Sequence, residues 1–173
     1  MNFKAGDAVV HRVRGAGMVV GVEERQWRGS SEMYYRIQLL NSPKSRLMVP
    51  ASAAEKIGLR HPIPQSKLEQ VWRVLLAHPR TLPTDHKERY ALLAAKLNAR
   101  DVLQVAEVVR DMAWRQRHNG RLTMRGKQMY EDGMMRLAGE IAVVQHIELI
   151  DAETEIRNKL DGSFSPGTAP GTS

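Results

Sequence analysis

Six bases lie between Arg110 and Lys127, namely Arg110, Arg115, Arg117, Arg121, Arg125 and Lys127, against Asp111 alone. Guanidinium and ammonium groups at this density break no bonds by themselves, but they grip phosphate oxygens. Asn119-Gly120 interrupts the run, so Arg115, Arg117, Arg121, Arg125 and Lys127 fall on both sides of a chain reversal. The competing reading is a solvated helix face. A second constellation is Trp27, flanked by Arg25 and Arg28. Trp and Arg are enriched at protein interfaces. The competing reading buries Trp27 in a sheet core, and the sequence leaves the two open.

Catalytic patterns are missing where they would be sought. Gly15-x-Gly17-x-x-x-Gly21 departs from the G-x-G-x-x-G spacing and runs into a strand, so no helix N-terminus faces a phosphate. His11, His61, His78, His86, His118 and His146 are scattered, with no i, i+4 pair on a predicted helix and no cysteine to help. No G-x-S-x-G nucleophile motif occurs. The expectation is a protein that is not an enzyme, with no metal and no cofactor.

The chain has 173 residues, 42% of them hydrophobic, with a net charge of +7 and a pI of about 10.0. That length suits one ordinary domain or two small ones. The basic balance favours a polyanionic partner. Without cysteines there are no disulfides or zinc-thiolate sites, which fits a cytoplasmic protein. No apolar run is long enough for a membrane span, and Met1-Asn2-Phe3-Lys4 does not begin a signal peptide.

The residues that could bind must be positioned by two kinds of structure. Ala8-Val9-Val10, Met18 to Val22 with its extension Glu23 to Trp27, Met33 to Leu40, and Arg46 to Val49 ended by Pro50 read as short strands. Gly15 and Gly17 bracket a turn, and Gly29-Ser30-Ser31 makes another. Four or five strands in about 50 residues predict an SH3- or Tudor-like barrel over residues 1–60. Ala51 to Gly58 reads as a helical turn. At Arg60-His61-Pro62-Ile63-Pro64 the strand pattern stops.

Residues 61–160 predict a compact all-α domain of about five helices, so the fold class is α+β, strands first. Ser66 with Glu69 reads as a capping box for the first helix. Thr84 or Asp85, then Asp101, then Thr123 cap the next three, and Glu148 to Leu160 forms the last. Trp72 and Trp114 fall on apolar faces and are assigned to the core. Gly133 is a weak point inside its helix, costing about 1 kcal/mol relative to Ala. Residues 161–173, rich in Gly, Ser, Pro and Thr, predict a disordered tail.

Phe3, Gly6-Asp7, Val9-Val10, Gly15 and Val19 resemble the amino-terminal module of the CarD family of bacterial transcription regulators. The same RNA-polymerase-interacting module occurs in the transcription-repair coupling factor. The resemblance continues through Val49-Pro50-Ala51, Gly58-Leu59-Arg60, Pro83-Thr84, Arg89-Tyr90, Val105 to Asp111, Gly120, Lys127 and Gly139-Glu140-Ile141-Ala142. The helical matches separate the chain from a coupling-factor fragment.

The resemblance implies a barrel that docks, strand to strand, on the β subunit of RNA polymerase. It also implies a helical domain that touches promoter DNA at the upstream edge of the melted bubble and modulates open-complex stability. In the family a tryptophan wedges into the minor groove there, without reading sequence. On the polymerase side the implied residues are Arg25, Trp27 and the edge strand Arg46, Leu47, Met48, Val49. Met48 stands where the family often has an arginine, which leaves Arg46 as a substitute. On the DNA side they are His86, Lys87, Arg89, Arg115, Arg121, Arg125 and Lys127. His86 takes the place of the wedge tryptophan, and Glu88 and Ala91 stand where bases are common. A monomer in the bacterial cytoplasm, held at the nucleoid through polymerase, is expected. The alternative is a polymerase-docking adaptor with little or no DNA contact.

Overall fold

The computed structural model describes residues 2–164. Five strands come first: β1 (Ala8–His11), β2 (Gly15–Trp27), β3 (Ser30–Leu39), β4 (Arg46–Pro50) and β5 (Leu59–Arg60). Five helices follow: α1 (Leu68–Leu76), α2 (His86–Asn98), α3 (Val102–Asn119), α4 (Met124–Gln145) and α5 (Leu149–Phe164). The strands form one antiparallel sheet in the order β4-β3-β2-β1-β5. Its core is Phe3, Val9, Val19, Tyr35, Ile37, Leu39, Val49 and Leu59, and the helices close around Leu75, Leu93, Met112, Leu137, Ile141 and Ile156.

β2 and β3 form a long hairpin. Its tip is Arg28-Gly29, with φ of 49° and 81°. Both tip residues lie in the left-handed region, the geometry that matches the twist of a two-residue hairpin. The reversal is therefore one residue earlier than Gly29-Ser30-Ser31, and both serines belong to β3. Register slips once, between Val19 and Gly21, where Val20 is the extra residue of a β-bulge.

Three helix starts follow the sequence. Asp85 accepts from Glu88 N–H at 3.0 Å, Asp101 from Leu103 N–H at 3.0 Å, and Thr123 from Gly126 N–H at 3.1 Å. Ser66 does not cap α1. It sits inside a 3₁₀ turn, Gln65–Lys67, that leads into the helix, and Glu69 pairs with Arg73 at 2.8 Å instead. The expected tail is also corrected in part, because α5 continues through Asp161 to Phe164; residues 165–173 lie outside the described part. Phe164 earns this extra turn by meeting Trp114 edge-on at 5.1 Å.

Trp72 and Trp114 are half-buried rather than core. Lys159 Nζ lies 4.8 Å over the Trp72 ring, and His118 stacks on Trp114 at 3.5 Å. Gly133 has a packing reason: a Cβ there would lie 3.3 Å from Val109 and 3.4 Å from Leu97, so its absence lets α4 press on α3 and α2.

The sheet and the bundle meet across α4. Gly139 packs on Ala16 so closely that a Cβ at 139 would sit 3.2 Å from the alanine methyl. The next residue, Glu140, is 2% exposed. Its carboxylate accepts two bonds from the Arg60 guanidinium, at 2.6 and 2.8 Å, and one from Ile63 N–H at 2.9 Å. Bidentate geometry and a third donor satisfy a charge that burial would otherwise penalise.

His11 sits beside this junction. Its Nδ1 accepts from Val13 N–H at 3.1 Å and Arg14 N–H at 3.0 Å, which leaves the ring proton on Nε2. Burial, then Arg14, Arg12 and Arg136, hold its pKa below the ordinary value. Arg60, Arg100, Asp101 and Glu140 line the same cavity. The unfolded chain takes up this proton near pH 6.5, while the folded chain resists it. Stability from His11 is therefore complete above about pH 6.5 and is lost as pH falls toward the lower folded value. Thermal melts from neutral to mildly acidic pH should show this decline, and His11→Asn, which keeps an acceptor, should flatten it. Equal slopes in the two proteins would remove His11 as the cause.

Candidate functional site

Strand register decides which residues of the sheet face outward. Tyr34 pairs with Glu23 and Pro50, and Arg36 pairs with Gly21 and Met48. Alternation then puts Glu23, Arg25 and Trp27 on one outer face with Tyr34, Arg36, Arg46 and Met48. Tyr35, Ile37, Leu47 and Val49 take the inner face. Val49 is 1% exposed, and Leu47 packs against the sheet core. Of the edge strand, Arg46 and Met48 therefore present side chains outward, while Leu47 and Val49 offer the backbone groups of a free strand edge. Among the described residues β4 pairs with β3 alone, so its other edge carries unmatched N–H and C=O groups.

The outer face is ordered before any partner arrives. Arg25 Nε donates to Glu23 at 2.8 Å, and its guanidinium lies 5.9 Å from the Tyr34 ring centre. Arg36 approaches the other Glu23 oxygen at 3.6 Å. Arg46 donates to the Pro43 carbonyl at 3.0 Å. Trp27 is 74% exposed with Arg28 over its ring, so of the two readings the sequence left open, burial in the sheet core is excluded.

The second surface is built where α2 begins and α3 turns into α4. His86 is the first residue of α2 and is exposed. Arg89, one turn on, is 2% exposed. Its Nη1 donates to the carbonyls of Pro83 and Thr84, both at 3.1 Å, and its Nη2 meets His86 Nδ1 at 2.7 Å. Arg89 therefore fixes the loop that carries His86 and is not itself an exposed cation. Its expected place among the phosphate contacts is corrected on that ground.

Tyr90 joins this loop to the corner. Its hydroxyl hydrogen-bonds the Thr123 hydroxyl, and Arg125 lies 4.8 Å over its ring. The bond from Thr123, then Arg89 and Arg125, hold the phenol below its ordinary pKa against the opposing effect of burial. His86, Arg115, Asn119 and Arg121 line one cleft of about 70 Å³. The sequence singled out Tyr90 only as part of the Arg89-Tyr90 match, with no role at the corner. The signal available was a hydroxyl-bearing ring preceding a basic corner, which is too common to single out.

Arg121 is exposed and Arg115 half-buried on the wall of this cleft, and Lys87, Arg125 and Lys127, each next in sequence to a wall residue, are exposed. Lys127 is 4.0 Å from Glu131, a solvated i, i+4 pair of little energetic weight. Arg110 does not belong with them. It is buried, donating to Asp111 at 2.8 Å and to the Val74 carbonyl at 3.1 Å, while Asp111 accepts Arg80 N–H at 3.1 Å. The Arg110–Asp111 pair thus ties α3 to the end of α1 and the following loop.

Among the described residues no three His, Asp or Glu side chains converge as metal ligands, and no helix is long and apolar enough to cross a membrane. Residues 3–63 match the CarD-like/TRCF RID domain, and residues 70–157 match the CarD C-terminal domain. The chain is 26% identical over 147 residues to the Bacillus subtilis protein named "Putative transcription factor YdeB", covering 84% of this chain and 94% of that one. With an RNA-polymerase-interacting sheet followed by the matching helical domain, the chain belongs to the CarD family of transcription factors.

Proposed function

We propose that the chain docks on the RNA polymerase β subunit through the free edge of β4 and the outer face carrying Arg25, Trp27, Arg46 and Met48. Residues 1–60 then act as the docking domain, and residues 61–160 lie against promoter DNA at the upstream edge of the bubble. Lys87, Arg115, Arg121, Arg125 and Lys127 contact phosphates, and His86 occupies the wedge position. The observation that carries this reading is the shared cleft of His86, Arg115 and Arg121. Two segments distant in sequence present stacking and cationic groups at one place. The docked protein is a monomer in the cytoplasm, localised to the nucleoid by polymerase.

Imidazole covers less of a base than indole does, so the wedge is weaker than the family's tryptophan. Open-complex lifetime with wild type, His86→Trp and His86→Ala tests the assignment. His86→Trp should lengthen the lifetime and His86→Ala should shorten it. Three equal lifetimes, with polymerase binding intact, would favour the adaptor reading. That second reading rests on the bond that holds His86 to Arg89 and on exposed Glu88 beside it.

The phosphate contacts have a separate signature. Each lost contact should reduce the salt slope of binding to duplex DNA by about 0.9. The Arg121→Ala/Lys127→Ala double variant should therefore reduce it by about 1.8. An unchanged slope would return these residues to a solvated face.

A further inference from the structure

We propose that the junction between the sheet and the bundle holds one chloride ion. A cavity of about 30 Å³ lies there, walled by His11, Arg12, Arg60, Arg100, Arg136 and Glu140 among others. This exceeds the ~10–15 Å³ that a single water needs. Two wall residues bring donors with nothing to meet. Arg12 Nε and Arg136 Nε are both buried and have no hydrogen-bond partner among the described residues. Arg136 is only 9% exposed, and its other nitrogens are committed to the Leu97 carbonyl at 2.8 Å and Asp132 at 2.7 Å. A buried N–H that lacks an acceptor is costly, so the cavity that both residues line calls for one.

Charge chooses the occupant. Glu140 balances Arg60, and Asp132 balances Arg136. Asp101, on the wall, acts on Arg60 as well and caps α3 through Leu103 N–H, so the four wall arginines face three carboxylates in all. One positive charge is left among the wall arginines. A water would accept both Nε–H bonds but would leave that charge. A divalent oxyanion would overshoot it. A monovalent halide satisfies the donors and the charge together. After burial and Arg14, both Arg12 and Arg136 act on His11, so the two arginines project their charge onto one place. An ion here joins the end of β1 to α4, so it would stiffen the same seam that Glu140 closes. This inference is independent of the polymerase reading.

Two measurements test it. Thermal melts of the full chain in sodium chloride and sodium gluconate, at one ionic strength, should differ. At tenfold excess over the dissociation constant, chloride should raise the midpoint by roughly 3–5 °C. Arg12→Gln should lose that difference while keeping its gluconate midpoint near wild type. Crystals of the wild type grown or soaked in bromide should show an anomalous peak between Arg12 and Arg136, and this readout needs no variant to fold. A chloride effect retained in Arg12→Gln, a cavity holding only water in bromide, or a peak found only with sulfate or phosphate would each overturn the proposal.

Discussion

Glu140→Ala should lower the melting temperature by roughly 6–12 °C and split the calorimetric transition into two. Removing one partner of a buried ion pair leaves the other charge stranded, a loss of about 3 kcal/mol or more. The low end applies because the Arg60 side chain keeps 27% of its exposure while Glu140 keeps 3%. Burial alone would lower the Arg60 pKa, and the bond to Glu140 more than reverses that. At roughly 2–4 °C per kcal/mol for a chain of this size, the stated shift follows. The split follows because Ile63 N–H and Arg60 hold the chain that leaves the sheet, so their release uncouples two separate cores. Arg60→Ala should be worse, since it strands the more buried carboxylate. Glu140→Gln should fall between, because the amide oxygen can still accept from Ile63. A single transition at the wild-type temperature in Glu140→Ala would show that the contact carries no such weight.

Trp27→Ala is expected to weaken binding to the polymerase β-subunit lobe by ten- to a hundredfold without moving the melting temperature. An aromatic anchor at the centre of an interface commonly contributes 2 kcal/mol or more. A side chain that is 74% exposed in the free chain contributes almost nothing to folding. The separation of the two readouts is the test. Arg25→Glu should reduce binding further, since it breaks the bond to Glu23 and reverses a charge on the same face. Titration calorimetry or a pull-down beside another CarD-family protein measures both. Unchanged affinity in both variants would move the docking surface away from the hairpin.

Why Trp27 was ambiguous in sequence has a geometric answer. Val19 faces the core, and strict alternation puts positions 21, 23, 25 and 27 on its side. That reading buries Trp27. The bulge at Val20 shifts the register, so every odd position beyond it points outward. Bulges leave little trace in a sequence, whereas the strands themselves were plain from their β-branched runs and turns. Helix starts were legible wherever a side chain caps them, at Asp85, Asp101 and Thr123. Ser66 failed because a 3₁₀ turn satisfied the backbone there by other means. Among the basic residues, sequence gives charge but not burial. Arg89 and Arg110 look like their exposed neighbours, and only the carbonyls of Pro83, Thr84 and Val74 reveal that they are internal fasteners.

The tight seat of Gly139 on Ala16 has one further consequence. Where two working surfaces are joined by a hinge, each can search for its target alone. Here they are joined more like the jaws of a caliper, at a set span. Under the proposed function, the point touched on the promoter is measured from the polymerase and is not selected by base sequence. Duplex DNA rises 3.4 Å per base pair. Wedging that seam apart with a larger side chain at 139 would thus blur the footprint along the helix by whole base pairs before it abolished contact.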